Sequence, residues 1–301
     1  MVDEGLFKLF PEDQETKESP WQSISEKFRE TIEDNVRPFE PVLLNEYEGM
    51  DVTTIRNFER PIVKDFVDPH YTQSYGFAPS INREEMERIA RLKGEVIKGS
   101  VNCYGANKLE KISLVSLELV KRYYGIILRI LPSDDYALPA MILSIDECPD
   151  YTHFFLDFIP TADCVMDTSY LATYLDPLEP IWKKYKFVRD LPNFPAYEVN
   201  LYSWMRAMES PYLITRRVPP NKPKGIREDL MRLGIDYLKV YIDLWQKAEP
   251  QDKEYMSALN QRKSRMRNDF RTRTDPDGKF WWKAERYLGP ELTPLFIRTC
   301  Y

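Results

Sequence analysis

The sequence has few of the residues that build metal sites and disulfide frameworks. Its 301 residues include only 4 Cys and 2 His, and the cysteines stand singly, with no CxxC motif. This spacing does not match conventional zinc or iron–sulfur sites, and it is typical of a reduced, cytosolic environment. Two histidines also exclude a His-rich metal site. We therefore expect a protein that uses neither metal nor disulfide chemistry.

Long hydrophobic runs and targeting signals are missing as well. No stretch approaches 18 uninterrupted apolar residues, so the sequence predicts no membrane span. The first segment, MVDEGLFKLFPEDQETKESP, is acidic and has no apolar run after a basic start. That pattern excludes a signal peptide and argues against a transit peptide.

The common nucleotide-binding and catalytic motifs are absent. The sequence contains no GxGxxG, GxxxxGK[ST], GxSxG or HExxH. A Rossmann site, a P-loop, a nucleophile elbow and a zincin site are therefore not indicated. No helix-turn-helix or RNA-binding signature is found either, so nucleic acid is not an expected partner.

Charge is distributed unevenly along the chain, although it sums to only −6. Residues 1–60 carry 15 acidic and 7 basic side chains, whereas residues 216–286 carry 18 basic and 11 acidic ones. The basic C-terminal quarter is either an ordinary solvated surface or a docking face for an acidic partner, because opposite charge raises the encounter rate.

Hydrophobic periodicity predicts helices towards both ends of the chain and strands in the middle. Helices are predicted at residues 21–35, 82–100, 169–185, 226–250, 253–271 and 280–301. Strands are predicted within residues 110–131, 138–147, 152–160, 197–208 and 211–218. This order indicates an α/β (α+β) protein, a three-layer α/β/α sandwich with a central, mostly antiparallel β-sheet. Residues 1–80 are expected to form an N-terminal extension packed on a sandwich domain of residues 81–301.

Acidic residues in apolar surroundings are the first candidates for proton transfer, because burial raises a carboxyl pKa towards the working pH. Asp243 lies in VYIDLWQ on a predicted helix, and Asp157 lies in HFFLDFIP at a strand end. The alternatives are a solvated polar stripe for Asp243 and bonds to neighbouring backbone amides for Asp157. His153, on the same strand as Asp157, is either a half-buried structural residue or a site residue.

Three arginines lie on or near the later predicted strands. Arg206, Arg216 and Arg217 are candidates for binding substrate carboxylates, since a guanidinium group binds a carboxylate with two parallel hydrogen bonds. The alternative for all three is surface charge.

Four segments, taken in their order and spacing, carry a resemblance to a known superfamily. They are IILRILPSDDYALPAM (126–141), FFLDFIP (154–160) followed by SYLATYLDPL, LKVYIDLWQKAEP, and the C-terminal RMRNDFRTRTDPDGKFWWKAERYLGPEL. Residues 105–301 thereby resemble the ferredoxin-dependent bilin reductases together with red chlorophyll catabolite reductase. A further segment, LYSWMRAMESPYLI (201–214), is similar to the chlorophyll catabolite branch.

The resemblance implies a sandwich that holds an open-chain tetrapyrrole between the sheet and the C-terminal helices. It implies single electrons from reduced ferredoxin, no bound metal or flavin, and protons from side chains or water. Ferredoxins are acidic, so the basic C-terminal quarter is the expected docking face. Asp243 matches the helix aspartate that contacts or protonates the tetrapyrrole, and Arg206 matches an arginine near the propionates. The expected location is the cytoplasm, or the plastid stroma for a processed chain.

Two positions depart from the family pattern. Counting from Leu138-Pro139, Ser144 stands where the sheet carries an acidic residue, and Ile127 stands near a His position of one branch. Asp146 is two residues from Ser144, so it points to the same face and could substitute for the missing acid. The expected catalytic residues are Asp243, Asp146 and Ser144, and the expected substrate-binding residues are Arg206, Arg216, Arg217, His153 and Asp157. The alternatives are a non-catalytic tetrapyrrole carrier on the same fold and an unrelated α/β protein.

Overall fold

An antiparallel β-sheet occupies the centre of this computed structural model. The structure describes residues 20–36, 39–41, 58–61, 96–119, 123–148, 151–191, 206–218 and 225–273. Within them the eight strands are β1 (Phe39–Pro41), β2 (Phe58–Pro61), β3 (Val96–Ala106), β4 (Leu109–Leu119), β5 (Tyr123–Pro132), β6 (Ala140–Cys148), β7 (Tyr151–Ile159) and β8 (Ile214–Val218). Strands β1 and β2 both pair with β3, and β3 to β8 then pair in sequence order.

Short connections account for this order, because an antiparallel neighbour can be reached through a tight turn. Strands β3 and β4 are joined through Asn107 and Lys108, and Lys108 adopts a positive φ of 67° in that turn. Strands β6 and β7 are separated by only two residues, which fixes Asp146 opposite His153. The predicted antiparallel sheet is confirmed.

Side chains that alternate along the strands give the sheet two different faces. The first, which we call the core face, carries one fully buried apolar row across five strands: Leu114, Leu128, Leu143, Leu156 and Ile214. Burial of these side chains on one side of the sheet fixes the register, because a slip of one residue would turn them all to the other side.

The second face, which we call the site face, carries the intervening residues. In the adjacent row these are Val115, Ile127, Ser144, Phe155 and Thr215. Val115, Phe155 and Thr215 are buried, whereas Ile127 and Ser144 are half-buried. The middle strands are therefore the more open part of the site face.

Helices cover the core face. They are α1 (Pro20–Asn35), α2 (Thr168–Tyr170), α3 (Glu179–Lys184), α4 (Lys186–Arg189) and α5 (Ile226–Lys247), with a short π-helix at Leu171–Leu175 and a 3-10 helix at Asp176–Leu178 between α2 and α3. Helix α1 packs on β4, β5 and α5. At Gly234, α5 approaches its neighbours closely, because a Cβ atom there would lie 2.5 Å from Leu143 Cδ1 and 2.7 Å from Phe28 Cζ.

Helix α5 is held at both ends. Gly225 precedes it at φ 82°, a backbone conformation that favours glycine. At the other end, Lys108 Nζ donates to the carbonyls of Trp245, Gln246 and Ala248, at 3.4, 3.1 and 2.7 Å. Trp245 O also accepts from the Ala248 N–H at 3.3 Å. Carbonyls at the end of a helix lack the usual intrahelical partners, so the lysine both bonds them and offsets the negative end of the helix dipole. The β3–β4 turn thus fastens the end of α5.

A long helix, α6 (Lys253–Arg273), lies partly on the site face. Its Met266 packs with Ile142, Phe155 and Ile159 of the site face and with Met208. Helices therefore flank the sheet on both sides, which confirms the expected α/β/α sandwich with an antiparallel sheet. None of the helices in the described residues is both long enough and apolar enough to cross a bilayer.

Two predicted elements differ from the structure. The helix predicted for residues 82–100 is wrong at its end, where residues 96–100 belong to strand β3 and the β-branched Val96, Ile97 and Val101 favour extended backbone. Residues 82–95 lie outside the described part. Of the predicted strand at residues 197–208, only 206–208 are described, and they form a short turn. The predicted helix at residues 280–301 also lies outside.

Candidate functional site

A carboxylate group with two polar neighbours lies on the site face. Ser144 Oγ donates a hydrogen bond to Asp146 Oδ2 at 3.0 Å, and His153 Nδ1 lies 3.5 Å from the same oxygen. The side chains of Asp146 and His153 are 45% and 21% exposed. This group, which we call the Asp146 cluster, therefore combines an acid, a base and a hydroxyl at a place that a ligand can reach.

The fold holds the Asp146 cluster through the sheet itself. Ile145 is buried on the core face, so its neighbours Ser144 and Asp146 must both turn to the site face. The register of β6 and β7 places Asp146 directly opposite His153. Cross-strand partners on one face have Cβ atoms about 5 Å apart, so the contact does not depend on a flexible loop.

The cluster can hold and transfer a proton. Asp146 Oδ2 faces both Ser144 and His153, whereas Oδ1 makes no hydrogen bond to any residue described in the structure. A carboxylic acid with one engaged and one open oxygen can donate a proton to a bound ligand, and a nearby imidazole can replace that proton. The expectation that Asp146 shares its face with Ser144 is confirmed.

Two arginines share the site face with the Asp146 cluster. Arg217 on β8 is the register partner of His153, so it lies in the same row as Asp146. Arg129 on β5 was not predicted, but it alternates with the buried Leu128 and Ile130, and this alternation places it on the site face. Guanidinium groups at these positions can bind carboxylates of a ligand.

The other two predicted arginines do not join the cluster. Arg216 lies on the core face, where its Nε donates to the carbonyl of Arg189 at 2.6 Å and its second terminal nitrogen also bonds that oxygen. Burial lowers the pKa of its guanidinium group. Arg206 is exposed and opens the described segment that leads to Ser210.

Asp157 lies on the site face but is fully buried. Its carboxylate accepts hydrogen bonds from Ser210 Oγ and, at 3.0 Å, from the Ser210 backbone N–H. Burial raises the pKa of Asp157 to about 7, the Ser210 hydrogen bonds oppose this shift, and nearby Glu209 adds to it. The carboxylate therefore fastens the segment after Arg206 to β7, and both of its oxygens are engaged by Ser210.

Asp243 is separated from the Asp146 cluster by the sheet. It belongs to α5 on the core side, where it is exposed and accepts a hydrogen bond from Lys247 at 2.7 Å. It lines an open groove of about 550 Å³ together with Asp236 and Lys239. The structure thus brings together Ser144, Asp146, His153 and Arg217, but it does not bring Asp243 to them.

A second, polar cavity of about 630 Å³ lies between α1 and strands β3 to β5 on the core side of the sheet. Its inner charges are paired with one another, since Lys98 lies 3.4 Å from Glu118 and Arg29 lies 3.2 Å from Glu33. The described residues contain no group of three or more His, Cys, Asp and Glu side chains that could hold a metal ion.

The arrangement of strands and helices matches solved structures. The crystal structure of phytochromobilin synthase from tomato in complex with biliverdin aligns with a TM-score of 0.61 over 91% of this chain and 79% of that chain. The fold is that of phytochromobilin synthase. Sequence identity to the synthase is 15%, and neither a family model nor a curated protein matches the chain. The likeness to the synthase confirms the fold that the sequence resemblance implied.

Proposed function

We propose that the protein reduces an open-chain tetrapyrrole with single electrons from ferredoxin, and that Asp146 is the proton donor on the sheet. The observation that carries this proposal is the contact of Asp146 with Ser144 and His153 on an open part of the site face. The synthase of the same fold was crystallised with biliverdin, which supports an open-chain tetrapyrrole as the ligand class.

Each of the three residues in the cluster has its own part in the proposed reaction. Reduction of one double bond consumes two electrons and two protons, delivered in alternation. After the first electron has reached the pigment, the acid form of Asp146 protonates the resulting radical through Oδ1. His153 passes a proton back to the carboxylate, and Ser144 keeps Oδ2 in place. A second electron and proton complete the reduction.

The donor is displaced relative to the position that the family resemblance assigned to it. Asp146 lies two residues along β6 from Ser144, a shift of about 7 Å in a strand. A tetrapyrrole bound as in the family would then meet the acid at a different part of its conjugated chain. We infer that the bond reduced here differs from the one reduced by a family member with its acid at the Ser144 position.

The proposed electron donor has a suitable docking surface beside the site. Helix α6 carries seven basic and two acidic residues in its 21-residue sequence, and its Met266 packs on the site face. Of the seven, Lys263 is buried and donates to the carbonyls of Ser133 and Tyr136, whereas Lys253 and Arg265 are exposed. An acidic ferredoxin bound to α6 would therefore approach the side of the sheet that carries Asp146. Attraction between opposite charges would also speed the encounter.

Anaerobic absorbance spectra of the protein with biliverdin, with and without reduced ferredoxin, test the proposal. The bound pigment should lose or shift its long-wavelength band only when reduced ferredoxin is present. Asp146→Asn should still bind the pigment but lower turnover by about a hundredfold or more, the usual contribution of a general acid. Asp243→Asn should keep turnover. If instead Asp243→Asn loses turnover and Asp146→Asn keeps it, the proton donor is Asp243 on α5 and not Asp146.

A carrier function is the second candidate, and Ser144 in place of the expected acid favours it. In that case biliverdin would bind in a one-to-one complex and keep its spectrum when reduced ferredoxin is added. The same spectra therefore separate the two functions. Absence of any spectral change on titration with several bilins would contradict both.

A further inference from the structure

Gly125 lies directly opposite Asp146 on the neighbouring strand β5. A Cβ atom at Gly125 would lie 3.5 Å from Asp146 Oδ1, which is an ordinary van der Waals contact. Oδ1 is the oxygen that neither Ser144 nor His153 contacts. The missing side chain thus leaves an opening on the one side of the carboxylate that is not already occupied.

The local backbone does not explain a glycine at this position. Gly125 is inside a strand, and among the described glycines only Gly225 has a positive φ. Glycine within a strand weakens it, because it has more conformational freedom to lose and no side chain to pack. Such a glycine commonly marks a place where a ligand approaches the backbone closely. The space beside Asp146 is the feature that a larger residue would remove.

The residues around Gly125 indicate what kind of ligand fits the opening. Leu117 is its register partner on β4, and Ile127 is the next residue of β5 on the site face. Both are half-buried and apolar, so together with the bare backbone of Gly125 they form an apolar surface next to Asp146 Oδ1. A flat, conjugated molecule with N–H groups along one edge matches this surface, since its plane contacts the apolar residues and its edge reaches the carboxylate.

We propose that Gly125 is a positioning residue, which allows the N–H edge of a planar tetrapyrrole to reach Asp146 Oδ1. This inference rests on the proposed function. A side chain at position 125 would hold the pigment away from the sheet and lengthen the path from Oδ1 to the pigment. Misplacement of reacting atoms by about 1 Å can lower a rate about a hundredfold.

Gly125→Val and Gly125→Ala test this proposal, with Gly99→Val as the matched control. Gly99 lies in the same row on β3, separated from Gly125 by β4, so the control makes the same substitution at a distance from Asp146. Thermal unfolding, biliverdin binding and turnover with reduced ferredoxin are measured for each variant. The absorbance spectrum of the bound pigment is also recorded.

We expect Gly125→Val to fold, to bind biliverdin, and to turn over about a hundredfold more slowly than the wild type. The absorbance spectrum of its bound pigment should also differ from that of the wild type, because the pigment no longer contacts Asp146. Gly125→Ala should show a smaller loss of rate, and Gly99→Val should resemble the wild type. If Gly125→Val fails to fold, the turnover of Gly125→Ala tests the proposal instead, because an alanine Cβ fits at this position without a clash.

Two outcomes would overturn the inference in different ways. If the wild-type protein neither binds nor reduces biliverdin, the proposed function is wrong, and so is the role of Gly125 that rests on it. If the wild-type protein reduces biliverdin and both Gly125 variants keep its rate and pigment spectrum, only the role of Gly125 is wrong. An equal loss of rate in Gly99→Val and Gly125→Val would also contradict it, because the effect would then be structural.

Discussion

The buried carboxyl group of Asp157 should make the stability of this protein depend on pH in a way that one substitution removes. In the folded protein the pKa of Asp157 is raised from 3.8 to about 7, chiefly by burial. Asp157→Asn keeps the shape of the side chain and keeps an oxygen that can accept from the Ser210 backbone N–H. It therefore isolates the cost of the buried charge from the loss of the hydrogen bonds.

The sign and size of the effect follow from proton linkage. Below about pH 4 the group is protonated in both states, and its folded form has no charge to bury. Between about pH 4 and pH 7 the folded state keeps a proton that the unfolded state releases, so the free energy of unfolding falls as pH rises. Each pKa unit corresponds to about 1.4 kcal/mol. The shift of about three units to a pKa near 7 therefore corresponds to a cost of at most about 4 kcal/mol above pH 7.

Urea unfolding of the wild type and Asp157→Asn, measured between pH 4 and pH 8 by tryptophan fluorescence, checks this reasoning. The variant should gain stability relative to the wild type as pH rises, by up to about 4 kcal/mol. The exposed Asp243→Asn serves as the control and should stay within about 0.5 kcal/mol of the wild type. A difference between Asp157→Asn and the wild type that does not change with pH would refute the argument.

Two further changes probe the packing of α5 and the proposed docking surface. Gly234→Ala should lower the melting temperature by up to about 6 °C, because overpacking against Leu143 and Phe28 costs about 1–3 kcal/mol and helix propensity returns only about 1 kcal/mol. The exposed Lys239→Ala on the same helix should change it by less than about 1 °C. Arg265→Glu on α6 should slow reduction by ferredoxin at low salt, and the difference from wild type should shrink as salt screens the charges. A difference that persists at high salt would contradict electrostatic docking.

Short β-rich runs separated by turn residues were sufficient to predict the middle of the sheet, and alternation was sufficient to predict part of the site. The runs within residues 110–131, 138–147 and 152–160 correspond to strands β4 to β7, and alternation along β6 places Ser144 and Asp146 on one face. The neighbour across the strand could also have been found. Because β6 and β7 are joined by only two residues, counting outwards from that turn pairs Asp146 with His153.

Other features depend on tertiary structure that no local pattern contains. Helix α5 is apolar around much of its circumference. Its sequence alone therefore predicts neither which face of the sheet it covers nor whether Asp243 points to the sheet or to solvent. The close approach at Gly234 settles both, since it places α5 on the core face and leaves Asp243 in solvent. The burial of Asp157 depends on Ser210, 53 residues away along the chain, so its partner could not be predicted from neighbouring residues.

The late position of α5 in the sequence has a consequence for synthesis of the chain. Strands β3 to β7 are complete at Ile159, but α5 begins only at Ile226. At about 5–20 residues per second, a ribosome needs several seconds to make the roughly 70 residues between them. Helix α1 emerges earlier, and its main packing among the described strands is on β4 and β5, towards one side of the sheet. Much of the apolar core face therefore stays uncovered on the nascent chain, and Lys108 can fasten the end of α5 only after that helix has emerged.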